Sequence, residues 1–517
     1  MTIVLDGTSL RIDDVARVAR HYERVALGDD ARERVIKCRN VLEDLAKSKV
    51  IYGINTGFGA LSNIMVPPGD LEDLQLNLVR SHAAGVGSAL PTDVTRAMML
   101  HRANTLAKGL SGIRLPTLET LVTMINSRVH PIIPERGSVG ASGDLAPLAH
   151  LTLVMIGEGY AEYSGKTMIG SEALRAASIA PVRLEAKEGL ALINGTQMMT
   201  AIGALMIHDI TRLIDFAERS AALSLEVLEG LTEAFDKRLH QARPHRGQVA
   251  SAQHMMELLA GGKLVSSGEQ RILKGMHPHD PYSLRCIPQV MGAARDATDY
   301  ASRTIETELN SANDNPLIFP EDREVLSGGN FHGQPIALVL DLLGIATATI
   351  GNLIERRITR LLDPRLSSGL PAFLIPRNAK PGVSSGLMAS QYTAAALASE
   401  NKVMAHPASV DSIPTSADFE DFVSMGPSSA LKLMRIEENV RFIVAIELLC
   451  AAEAAEARGI ENLSPANRET YGFVRKMIPK LQEDREISRD ITCLSKVLKE
   501  SGFSTSQLGP SAPSSMI

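Results

Sequence analysis

The chain has 517 residues, with 53 basic and 59 acidic side chains and a formal net charge of −6. That length is ample for a large buried core and for two or three domains, and the charge gives no general electrostatic reason to expect a nucleic-acid partner. A charged fraction of 22% beside 44% hydrophobics excludes wholesale disorder, and eight Tyr, eleven Phe and no Trp in a background of Ala and Leu favour helix over sheet.

The start, MTIVLDGTSLRIDD, carries acids early and lacks the basic-then-apolar layout of a signal peptide. The first ~110 residues mix short helical patterns with Gly-rich turns such as YGINTGFGALSN from Tyr52. After about residue 190 the pattern becomes long and helical. Ile207, Ile210, Ile214, Ala217, Ala221, Ser224 and Leu228 form one seam, and Leu343, Ala346, Ile350, Ile354 and Ile358 a second. Leu433, Ile436, Val440 and Ile443 form a third, Pro335 sits where a helix can begin, and DPRLSSGLP from Asp363 is a break.

This organisation predicts a mainly α fold: a long helical bundle over 191–500, a smaller mixed N-terminal region over 1–190 and a flexible Ser/Pro-rich tail over 501–517. The most apolar stretch, IALVLDLLGIATATIG from Ile336, contains Asp341, so no membrane span is expected. Cys38, Cys286, Cys450 and Cys493 lie far apart without a CxxC pair, which fits reduced thiols in a cytoplasmic protein better than disulfides or a zinc site. The histidines show no HExxH or other metal-ligand spacing.

The most informative segment is GSVGASGDLAPLAH, Gly137 to His150. One reading is a tight loop before a helix, with Asp144 as N-cap. The other uses the order Ala141-Ser142-Gly143. A backbone nitrogen can attack a carbonyl two residues back only where side chains do not crowd ring closure, and Ala141 and Gly143 meet that need. Dehydration of Ser142 would then leave an exocyclic methylidene, an electrophile that no ordinary side chain offers.

The segment resembles the defining motif of the aromatic amino acid ammonia-lyases, with the histidine ammonia-lyases most similar. YGINTGFG, RSHAAGVG, EGLALINGTQ, DPYSLRC, NSANDNP, GGNFHGQP and SVDSIPTSA match in order, from about Tyr52 to Met425. The resemblance implies an L-aspartase-like helical fold and a 4-methylidene-imidazol-5-one (MIO) group made autocatalytically from Ala141-Ser142-Gly143, with no external cofactor or metal. It implies a homotetramer whose sites combine loops of more than one subunit, acting on a small aromatic amino acid, with no nucleic-acid or membrane partner.

Residue by residue, Tyr52 matches the tyrosine implicated in removing the β-proton; otherwise it is an ordinary buried tyrosine, though its Gly-rich loop suits a closing lid. Asn194 matches the asparagine that supports the prosthetic group and substrate, and is also placed to N-cap the following helix. Tyr282 matches a site tyrosine. Arg285 matches the arginine that pairs with the substrate carboxylate, a task its planar fork suits. Phe331 matches a pocket wall. His82 matches the position that separates polar-ring substrates from phenylalanine, and Glu420 aligns with the glutamate that contacts imidazole. A carboxylate accepts from a ring N–H, which benzene cannot donate.

Several positions depart from the histidine-enzyme pattern. His279 stands where the family usually has Gln, Phe419 and Phe422 flank Glu420 in DFEDFVSM, Gly333 and Gln334 replace Ala-Glu, Ser384 replaces Asn, and RCIPQV replaces RCQPQV. His279 could alter hydrogen bonding at the site or add a titrating group. The expected reaction is therefore elimination of ammonia from an aromatic L-amino acid, L-histidine to urocanate first. A tyrosine ammonia-lyase, a related aminomutase or a lyase for a modified histidine are the alternatives. Fumarase-type lyases share long helices, but their GSSxMPxKxN loop is absent. A helical scaffold that had lost its chemistry is disfavoured by the intact Ser142 and Tyr52.

Overall fold

The computed structural model describes residues 2–273, 277–376, 378–379 and 382–500. The segment expected to form a flexible tail, 501–517, lies outside them. The fold is mainly helical, and the longest elements are Gln197–Val227, Ile287–Leu309, Gln334–Leu362 and Gly426–Arg458. Each sequence seam falls on one of them. Ile207, Ile210, Ile214, Ala217, Ala221 and Ser224 are buried along the first, Leu343, Ile350, Ile354 and Ile358 along the third, and Leu433, Ile436, Val440 and Ile443 along the fourth. Pro335 is the second residue of its helix, where a missing N–H costs nothing, and the helix stops at Leu362, before DPRLSSGLP.

The chain divides into two compact units, neither continuous in sequence. One comprises Met1–His208, Tyr300–Asp341 and Pro407–Lys432; the other comprises Asp209–Asp299, Leu342–His406 and Leu433–Ile517. All described strands belong to the first unit, in four small sheets of two or three strands. Its core includes the helix Thr92–Ala107, on which every residue from Val94 to Ala107 is buried. Two of these are arginines, tolerated because their guanidinium groups donate to backbone carbonyls: Arg96 to Val18 and Ile125, and Arg102 to Asn194.

The second unit is built of helical segments in close contact. A Cβ at Gly351 would lie 3.0 Å from Val440 Cγ2 and 3.4 Å from Ile443 Cδ1, so the small residue lets two helices approach. Inside this unit Arg357 and Glu447, both fully buried, pair at 2.5 Å, and Ser220 and Ser224 donate their hydroxyls to the same carboxylate. Arg357→Met is expected to strand that charge and lower unfolding free energy by about 3–5 kcal/mol, read from the denaturant midpoint. A loss below about 1 kcal/mol would show that the serines alone satisfy Glu447.

Gln334–Leu362 is long and apolar enough to cross a bilayer by length and composition, yet 67% of its most apolar window is buried by the protein's own residues. Its hydropathy is that of a core helix.

Candidate active site

The segment 137–144 links the strand Pro134–Arg136 to the helix Leu145–Met155, and its backbone is held at Val139, Gly140, Ser142, Gly143 and Asp144. Met425 N–H donates to Val139 O (2.9 Å), Ser424 Oγ to Gly140 O (3.1 Å) and Ser138 Oγ to Gly143 O (3.0 Å). Asn194 Nδ2 donates to Ser142 O (3.1 Å), and Asp144 N–H donates to Gly195 O (2.7 Å). Gly143 has φ +70°, and a Cβ there would lie 2.2 Å from Gly195 O, so no other residue fits. The buried Asn194 Oδ1 has no partner, which leaves an acceptor free beside the turn. A cradle that admits only glycine, a clamped carbonyl and a free buried acceptor fit a ring closed from Ala141, Ser142 and Gly143.

Two cap assignments differ from the sequence reading. Asp144 occupies the N-cap position of Leu145–Met155, but its side chain does not cap that helix. Its Oδ2 accepts Met198 N–H (2.8 Å) and Met199 N–H (3.1 Å), the first turn of Gln197–Val227. Asn194 therefore does not cap the long helix; its amide is committed to Ser142, and a residue 54 positions upstream of Met198 takes over the capping. Burial pushes the Asp144 carboxyl up to about 7, against the pull of those two N–H groups.

The turn opens on a cavity of about 590 Å³, within the usual range for a small-molecule site. Tyr52, His82, Ala141, Ser142, Asn194, Phe331 and Glu420 all line it. Tyr52 comes from a loop folded on itself, with Gly57 N–H on Ile64 O (2.9 Å) and Val66 N–H on Asn55 O (3.0 Å). A Cβ at Gly53 would lie 2.5 Å from Leu190, so glycine lets this loop rest on the helix Glu188–Ile193. The Tyr52 ring meets Phe58 edge-on, and Gly59 N–H donates to its hydroxyl (3.2 Å). Burial raises the Tyr52 phenol above its ordinary range and Glu420 adds to this, against the Gly59 bond. That opposes the lowering a base requires, and among the described residues no Lys or Arg lines this cavity to offset it.

His82 ends the helix Leu71–His82, and its Nδ1 lies 2.9 Å from Leu78 O. A carbonyl only accepts, so in the neutral ring Nδ1 carries the proton and Nε2 is the acceptor. Glu420 sits in a turn where Thr415 and Glu420 exchange backbone hydrogen bonds. Its Oε1 accepts Ser142 Oγ–H (2.8 Å) and its Oε2 accepts Thr415 Oγ1–H (2.8 Å). The cavity thus offers two acceptors, one neutral and one anionic, to a ring bearing N–H or O–H.

His279, Tyr282 and Arg285 are not among the residues lining this cavity; all three belong to the second compact unit. Tyr282 is 70% exposed with the Arg285 guanidinium 4.8 Å over its ring, and Arg285 Nε is buried without a partner. His279 and Arg285 line a separate recess of about 430 Å³ with Cys286 and Gln289.

The sequence reading did not single out His332 or Phe58, which line the main cavity, and treated Phe419 and Phe422 only as departures. His332 Nδ1 accepts Gln334 N–H (3.3 Å), so its Nε2–H donates to Phe422 O (3.2 Å), and the two rings stack 5.9 Å apart. The signal was present: His332 stands in GGNFHGQP beside Phe331.

A long-helix fold holding an Ala-Ser-Gly turn in a glycine-only cradle, beside a tyrosine and two ring acceptors, defines a lyase-like class of site. The aromatic amino acid lyase family model matches residues 10–476. A histidine ammonia-lyase of Alkaliphilus oremlandii is 52% identical over 491 residues, 95% of each chain. Among solved structures, histidine ammonia-lyase from Trypanosoma cruzi is 41% identical with a TM-score of 0.89, covering 97% of this chain and 94% of its own. Tyrosine aminomutase from Streptomyces globisporus is 40% identical with a TM-score of 0.93, covering 97% and 98%. The chain belongs to the aromatic amino acid lyase family and is a carbon–nitrogen lyase.

Proposed function

We propose that this chain eliminates ammonia from L-histidine to give trans-urocanate, with Ala141-Ser142-Gly143 matured to MIO. The observation that carries the reading is the clamped, glycine-only turn at Ser142 opening on the same cavity as Tyr52, His82 and Glu420. The matured group supplies an electrophilic exocyclic carbon that turns the substrate amine into a better leaving group.

The chain's own residues supply the rest. Tyr52 takes the β-proton, the Cα–Cβ double bond forms, and the C–N bond breaks with release of ammonia. The Glu420 carboxylate accepts the single N–H of a neutral imidazole, and His82 Nε2 is the second acceptor for an imidazolium, which places the ring and disfavours phenylalanine. Phe331, Phe419 and Phe422 wall the ring. Asn194 holds the Ser142 carbonyl, and Asp144, next after the triplet, is anchored by the Met198 and Met199 N–H groups at the start of Gln197–Val227.

Arg285 binds the substrate carboxylate, with Tyr282 and His279 beside it, and reaches the site from a second copy in a homotetramer. Among the described residues no Lys or Arg lines the Ser142 cavity, which favours this arrangement, since a carboxylate held without a cation is costly. Co-expression of Ser142→Ala with Arg285→Ala chains is expected to restore activity that neither shows alone. A fully active monomer in sedimentation would overturn the shared site.

Assay of L-histidine, L-tyrosine and L-phenylalanine in parallel, by absorbance of the unsaturated acids, tests the substrate; urocanate formation should dominate. A tyrosine-specific reading is favoured by the same two acceptors, His82 and Glu420, which also suit a phenol O–H, and turnover of tyrosine without histidine would establish it.

A further inference from the structure

Arg102 is fully buried on the helix Thr92–Ala107, and none of its hydrogen bonds goes to a carboxylate. The nearby Asp314 is occupied by Lys187 at 2.7 Å. Arg102 instead places both terminal nitrogens on one carbonyl, Asn194 O, at 2.6 and 2.8 Å, with Gln197 Oε1 at 3.2 Å. A buried guanidinium held only by neutral acceptors, with its Nε left unpartnered, is costly, and stability alone does not favour it over an apolar residue.

The carbonyl it grips carries two of the anchors on the Ser142 turn. On one side, the Asn194 side chain holds Ser142 O; on the other, Gly195 O accepts Asp144 N–H at 2.7 Å. Gly195 is tightly enclosed: a Cβ there would lie 2.5 Å from Gln197 Oε1, 2.6 Å from Asn313 Oδ1 and 2.8 Å from the Arg102 guanidinium. Gly195 in turn forms the wall that permits only glycine at 143. Movement of the Asn194-Gly195 peptide would therefore release the Ser142 carbonyl and the Gly143 cradle together.

We propose that Arg102 is a positioning residue for maturation of Ala141-Ser142-Gly143, fixing the Asn194-Gly195 peptide so that the Gly143 nitrogen closes on the Ala141 carbonyl carbon. This rests on the MIO reading above. In that reaction the N–C bond forms and the Ala141 oxygen leaves as water with the Gly143 and Ser142 amide protons. The Ser142 hydroxyl then leaves as a second water with the Ser142 Cα proton. No oxidant or co-reactant is needed. Arg102 acts by holding geometry, since only a rigid turn keeps the attacking nitrogen on the carbonyl against the extended peptide.

The test is mass spectrometry of the triplet peptide from purified, folded wild type, Arg102→Met and Arg102→Lys, with thermal midpoints measured in parallel. Wild type is expected to lack two waters, Arg102→Met to carry the modification in less than a tenth of molecules, and Arg102→Lys to be intermediate. The lysine keeps the charge and loses the two-pronged grip. A merely structural role would lower the midpoint and leave the modified fraction unchanged, and that result overturns the proposal. If Arg102→Met does not fold, full modification of folded Arg102→Lys overturns it, and a modified fraction below half supports it. An unmodified wild-type peptide would instead sink the MIO reading itself.

Discussion

Ser142→Ala is expected to abolish the two-water mass loss in the triplet peptide and to take ammonia release to background. Ser142 Oγ is the one atom in the turn whose departure can create a methylidene, because Ala141 and Gly143 have no leaving group. The fold should tolerate the change. Ser142 is only partly buried, and Glu420 keeps its bond from Thr415, so the thermal midpoint should reflect a change within about 0.5 kcal/mol. Measuring mass, midpoint and product together separates loss of the electrophile from loss of the structure. Activity within tenfold of wild type would place the electrophile elsewhere.

Tyr52→Phe is expected to lower kcat by about 10²- to 10⁴-fold with little change in KM, the usual worth of one general base. The phenylalanine ring can keep the edge-on contact with Phe58, so substrate binding should survive. The pH profile gives an independent check. Both burial and the Glu420 carboxylate raise the Tyr52 phenol, so the base form is scarce at neutral pH in the isolated chain. As a base, Tyr52 is active when deprotonated, and kcat/KM rises with pH through its ionisation. Glu420→Gln removes a neighbouring negative charge, favours the phenolate and should shift that rising limb to lower pH. A shift to higher pH, or none, would mean that another group titrates.

The two cap reassignments show where sequence reasoning stops. Asp144 before a helix and Asn194 before a longer one both look like local caps, because short polar side chains usually satisfy the nearest free N–H groups. In the fold, the turn at Ser142 lies against the start of Gln197–Val227, so Asp144 caps a helix far along the chain and Asn194 is released to hold Ser142. No local pattern encodes such an exchange. Arg102 is a second instance: an arginine in RANTLAKG carries no sign of burial, and its significance comes entirely from which carbonyl lies opposite its fork.

The sequence by itself determined the long helices, because apolar residues at three- and four-residue spacing bury one face wherever the partner lies. It also carried the ordered motifs around Ala141-Ser142-Gly143 whose resemblance to the aromatic amino acid lyases the family match bears out. The tertiary structure alone decided which residues share a cavity. It brought Tyr52, His82, Asn194, Phe331 and Glu420 around Ser142, and left Arg285, Tyr282 and His279 out of that lining. Contacts between positions hundreds of residues apart depend on packing that no local spacing records. Tertiary packing likewise placed two ring acceptors, and among the described residues no Lys or Arg, in the lining of this cavity.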